Sequence, residues 1–233
     1  MNGKILEIDS DTARRFLLPR HYSGRVPNIT RAFGWYTGKP YSEDELMSVC
    51  TFGKPATNSL CIGVCGEKYS DSVYELNRLC RLENWDEPLS QFVSACLRRL
   101  RTENWIIISY SDTAMNHHGY IYQACNFLYT GVTKSRTDQF APNNAHSRHP
   151  DKAYEGRYRT VRSAKHRYVY FCTFNKHLKK SWQESLMYPV LPYPKGDNNP
   201  DYKLGDFLEP TVIDVVTGCP CKPIVDNEQI SLF

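Results

Sequence analysis

The stretch from residue 73 to residue 130 constrains the fold more than any other part of the chain. Residues 73–82 are rich in β formers and alternate apolar with polar side chains, which is typical of a strand. Residues 89–100 carry apolar side chains at helical spacing, and residues 105–110 are apolar on both faces. A strand, a crossover helix and a buried strand form a right-handed parallel unit. The segment therefore predicts a mixed α/β fold, with a short further helix after Gly119.

Weaker signals outside this segment predict the remaining elements. Turn chemistry and residue type indicate a helix at 12–18, a hairpin of strands at 49–52 and 60–65, a long functional loop at 131–165, and strands at 166–172 and 211–216. At 233 residues the chain is long enough for one substantial core. Prolines at positions 189, 192, 194 and 200 mark an extended arm. We therefore predict a catalytic domain over residues 1–186 and a proline-rich extension over residues 187–233.

The cysteines and the apolar runs bear on where the protein works. Most of the nine cysteines lie within apolar strand or helix patterns, where a reduced thiol packs as a small hydrophobic group. No apolar run has the length of a membrane span, and the first residues lack the features of a signal peptide. We therefore expect a cytoplasmic protein with no membrane partner and no disulfide framework.

Positive charge is concentrated in one segment. The chain has a net charge of +4, yet residues 134–180 hold twelve Lys or Arg against three acidic residues. Cations with interleaved tyrosines and histidines suit a phosphate backbone and an exposed base, although a solvated basic surface explains the pattern equally well. The predicted nucleic-acid-binding residues are Arg148, Lys152, Arg157, Arg159, Arg162, Lys165 and Arg167.

Three separated motifs carry a resemblance to a known family. In chain order they are "RHYSGR" at 20–25, the strand at 73–82, and "SYSDTAMNHHGYIYQACNF" at 109–127. Over roughly residues 10–170 the chain resembles the Mom family of phage DNA-modification proteins, a divergent branch of the GNAT acyltransferase superfamily. The resemblance implies a GNAT-like fold and double-stranded DNA as partner. It also implies conversion of adenine to N6-carbamoylmethyladenine, which protects phage DNA from host restriction.

The loop before the helix at 89–100 bears on the acyl donor. In the commoner members of that superfamily a glycine-rich loop at this helix start binds the pyrophosphate of coenzyme A through free backbone amides. Here the loop has no glycine, and its carboxylates Glu83, Asp86 and Glu87 repel a pyrophosphate. The sequence therefore favours an activated glycine such as glycyl-tRNA over acetyl-CoA. A glycyl group on adenine N6 is an isomer of the product that the resemblance implies. The expected donor-binding residues are Arg78, Leu79, Cys80 and Ser109.

Two of the motifs supply the first candidate catalytic residues. His21, with Tyr22 and Ser23, lies in a turn-rich segment where a neutral imidazole accepts a proton, binds a metal or serves only as a structural hydrogen-bonding group. Arg78 interrupts a half-apolar strand, where an unpaired charge is costly. We expect it to bind the donor or a developing oxyanion, with a structural ion pair as the alternative. Glu75, three residues earlier, points to the opposite face of a regular strand and is not the expected partner.

The third motif adds a carboxylate and a phenol. Asp112 ends the buried strand, at the edge where open α/β sheets bind ligands, although it also suits a helix N-cap. Tyr122 lies on the short helix where acyltransferases of the superfamily place a tyrosine that protonates the leaving group. Tyr120 and Tyr129 are competing tyrosines. For His117 and His118 a surface or capping role weighs as much as a catalytic one.

Metal and base-binding signals are weak. His21, Tyr22 and Asp112 offer ligands suited to iron, but only the fold can bring them together. The "CPC" at 219–221 lacks a second motif, so we do not expect zinc there. An enzyme acting on the paired amine of adenine should extrude the base. The candidate stacking residues are Trp35, Tyr36, Phe140 and Tyr154.

Two rival functions remain open from the sequence. One is a GNAT-like N-acyltransferase that uses acetyl-CoA on a protein or a small amine. The other is a non-catalytic DNA-binding protein on the same scaffold. A transfer RNA partner follows only if the donor is glycyl-tRNA.

Overall fold

The computed structural model describes residues 3–25, 27–141, 156–196 and 211–223. The chain divides into a main unit of residues 1–133 and 165–207, and a small unit of residues 134–164 and 208–233. The strands are β1 (Lys4–Ile8), β2 (Arg31–Tyr36), β3 (Leu46–Gly53), β4 (Val73–Arg81), β5 (Trp105–Asp112), β6 (Leu128–Val132), β7 (Arg136–Gln139), β8 (Tyr158–Arg162), β9 (Lys165–Cys172) and β10 (Val212–Asp214). The helices are α1 (Ser10–Leu17), α2 (Asn58–Cys65), α3 (Leu89–Leu100), α4 (Tyr120–Ala124) and α5 (Lys176–Glu184).

The main unit is built on a seven-stranded mixed sheet in the order β1-β2-β3-β4-β5-β9-β6. Strands β4 and β5 are parallel and α3 connects them, whereas the other neighbouring pairs are antiparallel. This confirms the parallel unit and the mixed α/β class that the sequence predicts. The helix at 12–18 and the strands at 166–172 and 211–216 are also confirmed, with their ends shifted by a few residues.

Strand β5 is covered on both faces, as its apolar sequence predicts. On one face Ile107 packs with Phe92, Cys96 and other buried residues of the α3 stripe. On the opposite face Ile106 and Ile108 belong to a second cluster with residues of α2 and α5. Each fully buried aliphatic side chain of this kind contributes about 1.5–3 kcal/mol relative to an exposed one. The strand is therefore the fixed centre of the main unit.

Strands β4 and β5 pair over only part of their length. Their parallel register runs from Val73 opposite Ile106 to Leu76 opposite Ser109. Beyond that point β4 continues to Arg81 and β5 to Asp112 without further pairing between them. A gap therefore opens between the carboxyl-terminal halves of the two strands, at the edge where ligands bind in parallel sheets.

A β-bulge in β4 changes which side chains share a face. In the ladder with β3, Leu76 lies opposite Phe52 and Arg78 opposite Thr51, so Asn77 is an extra residue. Leu76 and Leu79 consequently pack against the same core cluster, although an odd spacing separates them. The same shift brings Glu75 and Arg78 to the opposite face together. The prediction that these two side chains point away from each other is therefore wrong, because it assumes a regular strand.

The predicted strand at 60–65 is also wrong, because these residues form α2. The Thr57 hydroxyl accepts a hydrogen bond from the backbone N–H of Leu60 and caps the helix start. The helix stops at Gly66, which adopts a φ of 82°. A short apolar run does not distinguish strand from helix by its periodicity, and the threonine cap was the missed signal.

The segment 131–165 is not a loop throughout. It contains β7 and β8, which form a three-stranded antiparallel sheet with β10 in the small unit. Phe140, Tyr158 and Val212 form its small hydrophobic cluster. Residues 142–155 lie outside the described residues. The polar and charged composition of β7 and β8 conceals the alternation from a search for apolar periodicity.

Residues 187–196 follow α5 and lie against the main unit. The backbone N–H of Leu191 donates to the Tyr129 carbonyl at 2.9 Å, and the Tyr193 hydroxyl donates to the Phe127 carbonyl at 2.8 Å. The predicted boundary at residue 186 stays a prediction. Within the described ranges, no helix combines the length and apolar character needed to cross a bilayer.

Candidate active site

A cavity of about 370 Å³ lies in the main unit where β4 and β5 separate. Its walls come from β4, from β5 and from the segments around α1 and α4. The lining residues are His21, Tyr22, Asn77, Arg78, Leu79, Cys80, Arg81, Leu89, Tyr110, Ser111, His117, Gly119, Tyr120, Ile121 and Tyr122. The three motifs that are far apart in the sequence therefore meet at one cavity.

The turn after α1 places an aromatic pair in the cavity wall. The backbone N–H of His21 donates to the Leu17 carbonyl at 2.8 Å, which continues the last turn of the helix. The His21 and Tyr22 rings stack with centroids 4.5 Å apart, and the His117 ring meets Tyr22 edge-on at 6.2 Å. The wall therefore offers flat aromatic surfaces to a ligand.

His21 is held as a neutral ring. Burial lowers its pKa to about 3, and the positive charges of Arg78, Lys165 and His117 act in the same direction. Its Nδ1 accepts the backbone N–H of Ser23 at 3.2 Å and lies 2.9 Å from the Ser23 hydroxyl. An Nδ1 that accepts an N–H bond leaves the ring proton on Nε2. This arrangement favours donation of a hydrogen bond, and the roles of proton acceptor and metal ligand stay predictions.

Arg78 is fixed by two carbonyl groups. Its Nε donates to the Arg25 carbonyl at 3.1 Å, and its Nη1 donates to the Asn77 carbonyl at 2.6 Å. Its Nη2 has no hydrogen-bond partner among the described residues. Because carbonyls fix two of its nitrogens at the cavity wall, the third can bind an anionic or developing oxyanionic group.

Glu75 is the carboxylate that acts on Arg78, although the sequence analysis did not select it as a partner. Burial raises the pKa of the Glu75 carboxyl, and the charges of Arg78 and Lys165 offset part of that increase. Within the described chain, its side chain makes no hydrogen bond or ion pair. A half-buried carboxylate without a hydrogen bond is costly, which makes it a candidate functional group. Only the bulge at Asn77 reveals it.

Tyr122 is a half-buried phenol in the cavity wall. Burial raises its pKa well above the usual range, and a hydrogen bond with Ser109 lowers it by a smaller amount. The hydroxyl of Ser109 also donates to the Leu76 carbonyl at 2.9 Å, at the last paired position of β4 and β5. The phenol is therefore neutral at physiological pH and can donate a proton.

Both carboxylate oxygens of Asp112 accept hydrogen bonds from neighbouring groups. One carboxylate oxygen accepts the Lys165 ammonium at 2.8 Å, and the other accepts the backbone N–H of Ala114 at 3.0 Å. The second bond caps the short 3₁₀ turn after β5, which matches the capping alternative. Asp112 is not among the residues that line the cavity. Its catalytic role stays a prediction.

Three of the four predicted donor-binding residues line the cavity, and the fourth contacts a residue of the cavity wall. Arg78, Leu79 and Cys80 line the cavity, and Ser109 lies behind Tyr122. Burial raises the pKa of Cys80 to about 12, with a smaller opposing effect of Arg20, so this thiol is neither ionised nor a nucleophile. Ser23 supports His21 and does not line the cavity.

The residues proposed for iron do not form a ready ligand set. The Nδ1 of His21 is occupied by Ser23, and both oxygens of Asp112 already have partners. Among the described residues, no group of three His, Cys, Asp or Glu is close enough to hold a metal ion.

The predicted nucleic-acid-binding residues fall in different parts of the molecule. Arg157, Arg159 and Arg162 belong to the small unit, whereas Lys165 and Arg167 belong to the main unit. Arg148 and Lys152 lie outside the described residues. The prediction of nucleic-acid binding through these residues stays a prediction.

Several of these cations already form ion pairs or hydrogen bonds within the protein. Arg162 pairs with Asp138 at 2.9 Å in the small unit, and Lys165 pairs with Asp112 in the main unit. Arg167 donates to the carbonyl and the hydroxyl of Thr130 and lies 3.3 Å from the centre of the Tyr188 ring.

The prediction that Trp35, Tyr36 or Phe140 holds an extruded base is wrong, because these side chains are buried. Trp35 and Tyr36 are 0% and 1% exposed and belong to the core of the main unit. Phe140 packs in the small hydrophobic cluster of the small unit, and Tyr154 lies outside the described residues. The aromatic surfaces at the cavity come instead from Tyr22, Tyr110, Tyr120 and Tyr122. Sequence alone does not separate core aromatics from cavity aromatics.

Solved structures of three acetyltransferases resemble this fold. An N-acetyltransferase from Staphylococcus aureus Mu50 is 10% identical, has a TM-score of 0.45, and covers 74% of this chain and 100% of its own. Spermidine/spermine N-acetyltransferase SpeG from Vibrio cholerae, solved with manganese ions, is 10% identical, with a TM-score of 0.43 and coverage of 77% and 97%. An acetyltransferase from Bacillus subtilis in complex with CoA is 12% identical, with a TM-score of 0.38 and coverage of 73% and 99%.

Family membership rests on sequence. No curated protein matches this chain. The sequence model of the Mom protein family, in contrast, matches residues 2–195, which include all three motifs and the entire wall of the cavity. The chain belongs to the Mom protein family.

Proposed function

We propose that this protein is a DNA-modification enzyme that acylates the exocyclic amine of adenine and thereby forms N6-carbamoylmethyladenine in phage DNA. The observation that carries the proposal is the convergence of His21, Tyr22, Arg78 and Tyr122 on one cavity between two diverging parallel strands. An acyl carbonyl held in that gap meets both a fixed cation and a neutral phenol. The modified DNA would resist restriction in the host cytoplasm.

The cavity suits a planar base as the acceptor. Its aromatic rings can stack on a purine, and its volume of about 370 Å³ leaves room for an acyl group beside it. The amine of adenine is paired in duplex DNA, so the base must leave the stack to reach the gap. The aromatic pair His21–Tyr22 and the edge-on His117 are the surfaces that we assign to the extruded base.

The transfer step uses Arg78 and Tyr122. Adenine N6 attacks the donor carbonyl, a carbon–nitrogen bond forms, and Nη2 of Arg78 stabilises the negative charge on the carbonyl oxygen. The carbon–oxygen bond to the leaving group then breaks. Tyr122 donates its proton to the departing oxygen and regains one from N6, so the phenol relays a single proton and ends unchanged.

A glycyl donor explains the product without a further reagent. After transfer, the free amine of the glycyl group attacks ring carbon C6, and the original C6–N6 bond breaks. The glycine nitrogen becomes the new substituent on C6. The former N6 stays bonded to the glycyl carbonyl and becomes the amide nitrogen of the carbamoylmethyl group. The rearranged product has the same atoms as the glycyl adduct.

The acidic loop favours such a donor over acetyl-CoA. Glu83, Asp86 and Glu87 lie between β4 and α3, where the superfamily binds a pyrophosphate. Three carboxylates there repel two closely spaced phosphate charges. An ester of glycine on a transfer RNA does not need this loop for a pyrophosphate. We therefore propose glycyl-tRNA, or another activated glycine, as the donor.

Cations outside the cavity would bind the DNA backbone. In the small unit, Arg157, Arg159 and Arg162 follow one another on or beside β8. Phosphate contacts of this kind supply affinity that depends on salt and does not depend on base sequence. We propose that they, together with the other cations of the segment 134–180, hold double-stranded DNA.

Mass spectrometry of nucleosides tests the product. DNA from cells that express the wild-type chain should contain N6-carbamoylmethyladenine, and DNA from cells that express Tyr122→Phe should contain much less. Purified protein should then modify DNA with glycyl-tRNA and fail with acetyl-CoA. Unmodified adenine in cells that accumulate the folded protein would refute the proposal. An acetylated protein or amine in the acetyl-CoA reaction would establish the rival N-acetyltransferase function instead.

A further inference from the structure

Two arginines line the cavity and two more lie next to its lining residues; together they define an arginine cluster of Arg20, Arg25, Arg78 and Arg81. Arg78 and Arg81 line the wall itself. Arg20 immediately precedes His21 of the wall, and the carbonyl of Arg25 holds Arg78 at 3.1 Å. Arg20 is also close enough to Cys80 of the cavity wall for its charge to lower a thiol pKa that burial raises. The cluster therefore concentrates positive charge around one opening.

Two members of the cluster, Arg20 and Arg81, are oriented by carbonyl groups and an aromatic ring. Arg20 donates to the Phe16 carbonyl at 3.0 Å and lies 4.7 Å from the centre of the Phe16 ring. Arg81 donates to the Glu87 carbonyl at 3.3 Å. In the part of the chain that the structure describes, neither forms an ion pair with a carboxylate. Carbonyls and rings orient a guanidinium without neutralising it, so both remain able to bind an anion.

The neighbouring arginines of α1 show the contrast. Arg14 pairs with Asp11 at 3.1 Å, and Arg15 pairs with Glu43 at 2.8 Å. Both pairs lie on the exposed surface of the same helix that leads to Arg20. They match the cluster in residue type and in sequence neighbourhood, but their charge is compensated.

The ligand of the cluster must be anionic and must enter with the base. We infer that Arg20 and Arg81 bind the DNA phosphates that flank the extruded adenine, an inference that rests on the proposed function. A base in the cavity carries its own two backbone phosphates to the opening, where a fork of guanidinium donors matches their oxygens.

Salt dependence of DNA binding tests the inference directly. Affinity of the full chain for a short labelled duplex is measured by fluorescence anisotropy over a series of salt concentrations. Each lost phosphate contact reduces the slope of log affinity against log salt by about 0.9. Arg20→Gln with Arg81→Gln should therefore reduce the slope by about 2. The matched control, Arg14→Gln with Arg15→Gln, should leave it unchanged.

Charge-preserving variants separate binding from folding. Arg20→Lys with Arg81→Lys should retain the wild-type slope, because a lysine still releases a counterion from each phosphate. A wild-type slope in the double Gln variant would overturn the inference and leave DNA as the acceptor. Absence of duplex binding by the wild type would remove the proposed function and the inference with it. A loss of slope with an RNA stem-loop but not with the duplex would overturn the assignment to DNA.

Discussion

Two carboxylates near the point where β4 and β5 separate, Glu75 and Asp112, are in opposite states. On β5, Asp112 pairs with Lys165 and accepts a backbone N–H, so its charge is compensated. On β4, Glu75 makes no hydrogen bond within the described residues, and Arg78 keeps one nitrogen without a partner there. Both acids lie near the point where the two strands separate. The carboxylate of Asp112 therefore has its partners within the protein, whereas Glu75 and Arg78 on β4 can still bind a ligand.

The difference indicates where chemistry takes place. A satisfied ion pair stabilises the native arrangement and gains little from a ligand. A partly satisfied pair in a low-dielectric gap interacts strongly with any charge that develops beside it. We therefore expect substitutions on β4 to change catalysis and substitutions on β5 to change stability. The following substitutions test this division.

The largest effect should come from Arg78. Arg78→Ala removes the donor that we assign to the oxyanion and should reduce the rate of adenine modification about 100- to 1,000-fold. Arg78→Lys should also be strongly impaired, because a point charge cannot bind two carbonyls and still present a third fixed nitrogen. Rates are measured by mass spectrometry of nucleosides. Arg98→Ala, on the exposed surface of α3, is the control. Near-normal rates in both Arg78 variants would contradict the expectation that substitutions on β4 change catalysis.

Asp112 should behave in the opposite way. Asp112→Asn weakens the bond to Lys165, and it should lower the free energy of unfolding by about 1–3 kcal/mol. The Lys165 side chain is 39% exposed, which favours the lower part of this range. Urea unfolding gives the stability, and nucleoside analysis of the folded protein gives the rate. A large loss of rate at unchanged stability would instead establish the catalytic role that the sequence suggests.

Glu75 should couple stability to function. Glu75→Gln should lower the modification rate about tenfold, because Arg78 loses the carboxylate that acts on it. The same variant should be more stable at neutral pH, since it removes a carboxylate whose ionised form is disfavoured by burial. Glu75→Asp, which keeps the charge, should retain more activity than Glu75→Gln.

The gain in stability of the Glu75→Gln variant should appear at higher pH and disappear at lower pH. Burial raises the pKa of Glu75 in the folded state, so the folded protein holds its proton to higher pH than the unfolded chain does. Stability of the wild type therefore falls as pH rises from the usual carboxyl range through the raised pKa. The advantage of Glu75→Gln should be present above that window and vanish below it. Urea unfolding at several pH values measures both limits, and an advantage that grows toward acid pH would contradict the assignment.

Periodicity predicted the parallel unit because its helix and strand are long and clearly patterned. The apolar stripe of α3 and the continuous apolar run of β5 correspond to real buried faces. The run at 60–65 was too short to show a period, and β7 and β8 are too polar to show one. Such elements depend on tertiary packing and caps more than on local pattern.

The site could be predicted only where a motif marked it. His21, Tyr22, Arg78 and Tyr122 belong to recognisable motifs and all reach the cavity. The sequence analysis placed Glu75 on the face opposite Arg78, because side chains alternate between the two faces of a regular strand. This alternation fails at the bulge. Arg20 and Arg81 attract notice only when the structure shows Arg81 in the cavity wall and Arg20 close to Cys80 of that wall. A bulge and a spatial charge cluster are consequences of pairing between distant strands, which one sequence does not display.

The smallest effect, and the finest test of the comparison, should come from Asn77. Its Oδ1 accepts the Thr51 hydroxyl at 2.6 Å, and its Nδ2 donates to the Asn28 carbonyl at 3.1 Å, so both ends of its amide hold the bulge in place. Asn77→Ala should lower stability by about 1 kcal/mol and reduce the modification rate modestly. Thr51→Val removes the donor of the first bond alone. A double-mutant cycle of the two should show a coupling of about 0.5–1.5 kcal/mol in urea unfolding. Independent effects would mean that the ladder between β3 and β4 holds the bulge without this bond, and Arg78 would then keep its position in both variants.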